Sequence, residues 1–223
     1  HEPHGIVLDI PAWNYPLLIA VNVVVPALLA GNAVLIKHAR LTPLCGDAFA
    51  EAFQKTSLPP DLVASIHVGH DTVRKLIDAR AVDFISFTGS VEGGRQVYQA
   101  ASSRLLDMGL ELGGKDPALV CEDANFTFAV ENTVDGAFYN AGQSCCAVER
   151  IYVMRPLFSR FVDACVAEVE KYKVGNPEDP ATTMGPLAQS KALEFMEFQV
   201  ADAVARGARV LTGGRRLPGP GYF

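Results

Sequence analysis

Continuous apolar runs alternate with amphipathic stretches along the chain, and the two periods separate strands from helices. Residues 17–30 predict a helix and 33–37 a short buried strand, with Gly31-Asn32 as the stop between them. Residues 43–53 predict a second helix, with Thr42 as N-cap and Pro43 at the first helical position. Strand-like 62–68, helical 71–78, strand-like 82–87 and helical 91–102 continue the alternation. This β-α-β-α rhythm, with near-continuous apolar strands, predicts an α/β fold on a Rossmann-like parallel sheet covered on both faces. Strand-like 105–110 then leads to the glycine pair Gly113-Gly114, the best candidate for a domain boundary. Beyond it the pattern predicts strands at 117–121, 150–154 and 209–212, and helices at 126–139, 157–172 and 191–205. In 157–172, Phe158, Phe161, Val162, Cys165 and Val169 fall on one helical stripe. The expected organisation is two partial α/β domains, 1–113 and 114–223.

Composition narrows the choice of partners. With 223 residues, 49% of them hydrophobic, the chain can bury a sizeable core, which argues against disorder. Its 19 basic and 25 acidic side chains give a net charge of −6. No Lys/Arg cluster offers a surface to nucleic acid or anionic lipid. Residues 15–36 are apolar, but Pro16, Asn22, Pro26, Gly31 and Asn32 interrupt them, so a buried helix and strand are expected rather than a membrane span. The five cysteines are odd in number and lack CxxC spacing, and the five histidines lack metal-ligand spacing. Reduced thiols, no metal and a soluble cytoplasmic protein are expected. The chain begins His1-Glu2-Pro3 and ends Gly221-Tyr222-Phe223, and both ends are expected to be cuts through a longer sequence.

An α/β sheet of this kind suits a nucleotide at the carboxyl ends of its strands, yet neither GxGxxG nor a Walker motif is present. One other construction is available in Phe87-Thr88-Gly89-Ser90-Val91-Glu92-Gly93-Gly94, where a buried strand runs straight into a helix. There Gly89 allows close approach and Ser90 caps a helix N-terminus suited to phosphate, although an ordinary capped turn explains the same residues. Cys145 and Cys146 follow a helix that Gly142 breaks, either as buried packing residues or as a nucleophilic thiol rimmed by Gln143 and Ser144. Glu111, at the end of an apolar strand, is a candidate general base with partial desolvation, or a surface carboxylate paired with Lys115. Asn14 offers an amide donor for a developing oxyanion, or merely satisfies a turn between two prolines. Lys37 ends a strand, where it can meet phosphate and ribose hydroxyls or simply reach water.

Taken together and in order, these segments closely resemble the aldehyde dehydrogenase superfamily. The resemblance is carried by Pro11-Ala12-Trp13-Asn14-Tyr15-Pro16, Gly31-Asn32-Ala33-Val34-Leu35-Ile36-Lys37, Phe87-Thr88-Gly89-Ser90, Glu111-Leu112-Gly113-Gly114-Lys115 and Gly142-Gln143-Ser144-Cys145. It implies a partial NAD(P)-binding domain over 1–113 and a partial catalytic domain over 114–223. By the same resemblance Cys145 is the nucleophile, Glu111 the general base and Asn14 the oxyanion donor. Trp13, Lys37, Arg40, Gly69, Gly89, Ser90 and Gly94 fall at cofactor positions, with Lys37 at the adenosine ribose, Gly89 and Ser90 at the pyrophosphate, and Gly94 closing that turn.

The implied reaction is oxidation of a small-molecule aldehyde to the acid with NAD or NADP, through a thiohemiacetal and a thioester on Cys145. An unperturbed thiol ionises near about pH 8.5, so the surroundings of Cys145 are expected to help. A homodimer or homotetramer is implied for the full-length protein. Two departures stand out: Pro11-Ala12-Trp13 replaces the usual Pro-Trp order, and Arg40 stands where NAD-preferring members often carry Glu, which opens the way to a 2′-phosphate. The chain is also about half the usual family length, with the later Glu and Phe that flank the nicotinamide expected beyond Phe223. A cofactor-independent thiol esterase and a non-catalytic scaffold are the competing classes.

Overall fold

In the computed structural model, which describes residues 2–219 and 221–223, the chain divides into two compact units, His1–Gly113 and Gly114–Phe223. The first is a five-stranded sheet in the order β3-β2-β1-β4-β5, every neighbouring pair parallel. Its elements are β1 (Ile6–Ile10), α1 (Pro16–Leu29), β2 (Ala33–Ile36), α2 (Pro43–Gln54), β3 (Val63–Ser65), α3 (His70–Asp78), β4 (Phe84–Gly89), α4 (Val91–Ser102) and β5 (Met108–Leu112). The parallel sheet predicted from the alternation is therefore present.

Both faces of the sheet are covered, because alternate side chains of each strand point to opposite sides. Leu8, Ile10, Ile85 and Phe87 pack with Val73 and Ile77 of α3 and Ala100 and Ala101 of α4. Val7, Val34, Ile36 and Val63 pack on the other side with Val24 of α1. Helix α1 has 14 residues, fewer than the ~20 a membrane span requires. Among the described residues no helix is long and apolar enough to cross a membrane.

The second unit contains β6 (Asp116–Val120), α5 (Phe126–Phe138), β7 (Val148–Val153), α6 (Phe158–Val169) and α7 (Ser190–Ala205). Strands β6 and β7 are parallel neighbours joined by α5. Val120, Val130 and Phe161 form the small core where α5 and α6 cover these strands. Asn125 caps α5 by accepting a hydrogen bond from Phe128 N–H at 3.2 Å.

Three expectations need correction. Strand β1, the central strand of the sheet, is absent from the pattern-based reading, because Asp9 breaks a short apolar run. Residues 209–212 form no strand; they find no partner ladder among the described residues, and Val210 and Leu211 stay about half exposed. The fifth strand begins and ends later than predicted, so that Glu111 lies within it rather than after it.

Candidate active site

The strand order turns back at β1. Strands β2 and β3 lie to one side and β4 and β5 to the other, so loops leaving β1 and β4 at their carboxyl ends diverge and open a crevice. Ile10 is the register partner of Phe87, so β1 and β4 end level, the one leading through Trp13 and Asn14 into α1 and the other through Gly89 and Ser90 into α4 on the opposite face. Trp13 and Asn14 are half-buried in the bend that enters α1. Lys37 follows β2 directly, and its backbone N–H donates to the Asp9 carbonyl at 2.8 Å. The residue is only 9% exposed, and burial pushes the ammonium pKa down. Gly69 is the N-cap of α3, with open space where a side chain would project. Arg40 is exposed and makes no hydrogen bond or ion pair among the described residues.

Ser90 caps α4 as predicted, its Oγ accepting from Gly93 N–H at 3.1 Å. The preceding N–H groups of Val91 and Glu92 lie outside the helix's own ladder and are available to an anion. Gly94 N–H donates to the Ser90 carbonyl at 2.9 Å, the first bond of the helix's ladder. The residue sits inside α4, where a Cβ would come within 2.8 Å of Leu112 Cδ2, so its small size serves the packing of the helix on β5. A cleft of about 220 Å³ runs beside α4, with Val73, Ile77, Phe87 and Val97 on its apolar walls and Lys37 on its lining. Apolar walls for a ring, a buried cation and a helix N-terminus fit a dinucleotide.

Glu111 lies in β5 opposite Thr88. Its side chain is exposed, so the expected desolvation is not found, and it makes no hydrogen bond or ion pair among the described residues. Nor does it pair with Lys115, which is bound instead to Glu149 of β7.

Cys145 belongs to the second unit. Helix α5 ends in a tight turn over Tyr139–Gly142, in which Asn140, Ala141 and Gly142 have φ of 53°, 56° and 72°. Such left-handed backbone costs an alanine roughly 1–2 kcal/mol, so the turn needs outside support. Gln143 provides it: its Nε2 donates to Asn140 O at 3.0 Å, and its Oε1 accepts from Ala188 N–H at 2.9 Å. Asn140 Nδ2 in turn donates to Gln143 O at 3.3 Å. Gly114 also contributes by close approach, since a Cβ there would stand 3.3 Å from the Cys145 carbonyl oxygen.

Cys145 and Cys146 are both exposed, which removes the reading as buried packing residues. The Cys145 thiol pKa is nonetheless pushed up, first by burial among its neighbours and then by the Cys146 thiol. Its surroundings therefore raise rather than lower the pKa, contrary to expectation. Ser144 Oγ lies 3.3 Å from Cys146 Sγ, so Cys146 is tied into the turn beside it.

Two residues escaped the sequence-based reading altogether. Asp9 in β1 is 1% exposed with no hydrogen-bond partner at either carboxylate oxygen among the described residues, and burial raises its pKa from 3.8 to about 8. A lone acid inside an apolar run was its signal. His38, next to Lys37, is 5% exposed and carries three hydrogen bonds, a role that nothing in its sequence context announces.

Comparison with known proteins places this geometry. A family model described as the aldehyde dehydrogenase family matches residues 1–223. The chain is 37% identical over 223 residues to a protein of Mycobacterium tuberculosis named succinate-semialdehyde dehydrogenase NADP(+) 1, covering all of this chain and 49% of that protein. It is 34% identical to the succinate-semialdehyde dehydrogenase NADP(+) of Deinococcus radiodurans, covering 47% of it. Among solved structures, betaine aldehyde dehydrogenase of Staphylococcus aureus in complex with NAD+ superimposes with a TM-score of 0.91 at 33% identity, over 97% of this chain and 43% of that one. A lactaldehyde dehydrogenase gives a TM-score of 0.95 at 35% identity, over 100% and 47%. The chain thus spans about half the length of the relatives it matches. With every residue inside the match and the parallel sheet superimposing closely, the chain belongs to the aldehyde dehydrogenase family.

Proposed function

We propose that the full-length protein oxidises an aldehyde to its carboxylic acid with NADP+ or NAD+, and that this chain contributes the nucleophile, the base, the oxyanion donor and much of the cofactor site. The observation that supports this reading is the register of Ile10 with Phe87, by which the segments leading to Trp13-Asn14 and to Gly89-Ser90 leave the sheet at one level on the two sides of the crevice where the strand order reverses.

The roles follow from the chemistry of each group. Residues 1–113 act as the part that binds cofactor: the α4 N-terminus with Ser90 takes the pyrophosphate, Lys37 the adenosine ribose, and the apolar cleft the adenine ring. Gly69 leaves room at the start of α3, and Gly94 lets α4 lie close to the sheet. Trp13, in the same turn as Asn14, belongs to the cofactor site. Arg40, exposed and unpaired, supplies a guanidinium for a 2′-phosphate, which favours NADP+.

Residues 114–223 act as the part that presents Cys145. Its sulfur, once deprotonated, attacks the aldehyde carbon, and the Asn14 amide with the Cys145 N–H stabilises the oxyanion that results. A nicotinamide held in the cofactor site would supply the acceptor for the hydride that leaves this carbon. A thioester on Cys145 remains, and Glu111 takes a proton from the water that hydrolyses it.

The test is reduction of NADP+ or NAD+ by the full-length protein with a panel of aldehydes, followed at 340 nm. Cys145→Ala is expected to abolish it. Ester cleavage indifferent to nicotinamide, with no aldehyde oxidation, would replace this reading by a thiol esterase.

A further inference from the structure

The turn after β2 carries Lys37 and Arg40, and the bend before α1 carries Asn14. One side chain joins them. His38 Nε2 lies 3.0 Å from the carbonyl oxygen of Pro16, the first residue of α1. Its Nδ1 lies 2.9 Å from Ala39 N and 3.0 Å from Thr42 Oγ1. A backbone amide can only donate, so Nδ1 is an acceptor, and a carbonyl can only accept, so Nε2 carries the hydrogen. Both ends of the ring thus demand the same neutral tautomer. Burial, the largest influence on this ring, pushes its pKa down and favours that neutral form.

The ring is held as well as bonded. His38 is 5% exposed, and Gly46 of α2 packs so closely that a Cβ there would stand 3.4 Å from His38 Cβ. Thr42, the N-cap residue of α2, turns its hydroxyl to His38 Nδ1 and makes no side-chain cap bond to its own helix. A hydroxyl diverted from a helix end to an imidazole shows where the local structure is anchored.

We propose that His38 is a positioning residue that couples the two halves of the cofactor and oxyanion sites. Its Nδ1 sets the turn that aims Lys37 and Arg40 at the adenosine end of the cofactor, and its Nε2–H fixes the start of α1 and with it the bend bearing Asn14. The inference rests on the proposed aldehyde dehydrogenase function and adds the residue that ties cofactor affinity to turnover.

The two bonds can be separated in the full-length protein. His38→Asn keeps an acceptor near Nδ1 and loses the reach to Pro16, whereas His38→Gln keeps a donor toward Pro16 and loses the acceptor for Ala39 N–H. The measurements are NADP+ affinity by calorimetry, turnover at saturating aldehyde and cofactor, and melting temperature. His38→Asn is expected to bind NADP+ nearly as wild type and to lose about tenfold in kcat, while His38→Gln loses about tenfold in NADP+ affinity with kcat little changed. Parallel loss of affinity, turnover and melting temperature in both variants would mark a purely structural histidine and overturn the proposal. No change in either variant would also overturn it. If wild type oxidises no aldehyde, the enzymatic reading fails, and weaker NADP+ binding in His38→Gln but not His38→Asn still decides the Nδ1 half of the inference.

Discussion

Ile10 and Phe87 are register partners on adjacent parallel strands, and each stands within a few residues of a turn on which the proposed chemistry depends. From Ile10 the chain passes through Pro11 and Ala12 to Trp13 and Asn14; from Phe87 it passes through Thr88 to Gly89 and Ser90. The pairing of two apolar residues in the sheet therefore fixes the level at which the two segments leave it. This is how packing in the core becomes geometry at the site.

The Ser90 cap is the first point at which this can be tested. Ser90→Ala removes the acceptor for Gly93 N–H, so about 1 kcal/mol of stability should be lost. NADP+ affinity should fall as well, because α4 starts less firmly at the proposed pyrophosphate position. Chemical denaturation and calorimetry on the same variant check both.

Asp9 makes stability depend on pH. Its folded pKa of about 8 lies above the ordinary 3.8, so between these values the folded form holds a proton that the unfolded chain has released. Its contribution is fully present below the lower value and is lost as pH rises, by up to about 1.4 kcal/mol per pH unit, levelling off above the higher one. Asp9→Asn should flatten that slope between pH 5 and pH 8. Denaturant midpoints across this range provide the readout, and an unchanged slope would show that Asp9 is ionised in the folded protein.

The same residue explains what sequence patterning could and could not reveal. Helix α4 was legible to the residue, because Ser90 caps it and a buried strand precedes it. Strand β1 was not, because a charged residue at its centre breaks the apolar run, and only the finished sheet shows that this acid is buried. The motif residues Asn14, Lys37, Glu111 and Cys145 were legible as types in order. Their surroundings were not, since Glu111 is exposed and Cys145 is raised by contacts made only on folding. The His38 ties bridge segments 22 residues apart and leave no local trace.

Arg40 should decide between the two cofactors. Arg40→Glu removes an exposed guanidinium and places a carboxylate where a 2′-phosphate would lie, so NADP+ affinity should fall by about tenfold or more relative to NAD+. The ratio of kcat/KM for the two cofactors measures this directly. An unchanged ratio would remove Arg40 from the cofactor site.

Gln143 supports the strained turn before Cys145 through bonds to Asn140 and Ala188. Gln143→Ala should lower kcat by about tenfold and leave NADP+ affinity unchanged, because the loss is one of nucleophile placement. Steady-state kinetics with a separate binding titration distinguish this outcome from general destabilisation.

The central claim is that aldehyde carbon becomes bonded to Cys145 and is released by water that Glu111 activates. Its most direct test is peptide mass spectrometry of the full-length Glu111→Gln variant quenched in acid after mixing with aldehyde and NADP+ or NAD+. The acyl mass should accumulate on the peptide containing Cys145 and Cys146, persist in a further Cys146→Ala background and vanish with Cys145→Ala. Acylation that survives Cys145→Ala, or NADPH or NADH formation with no acylated peptide at any time, would contradict the account.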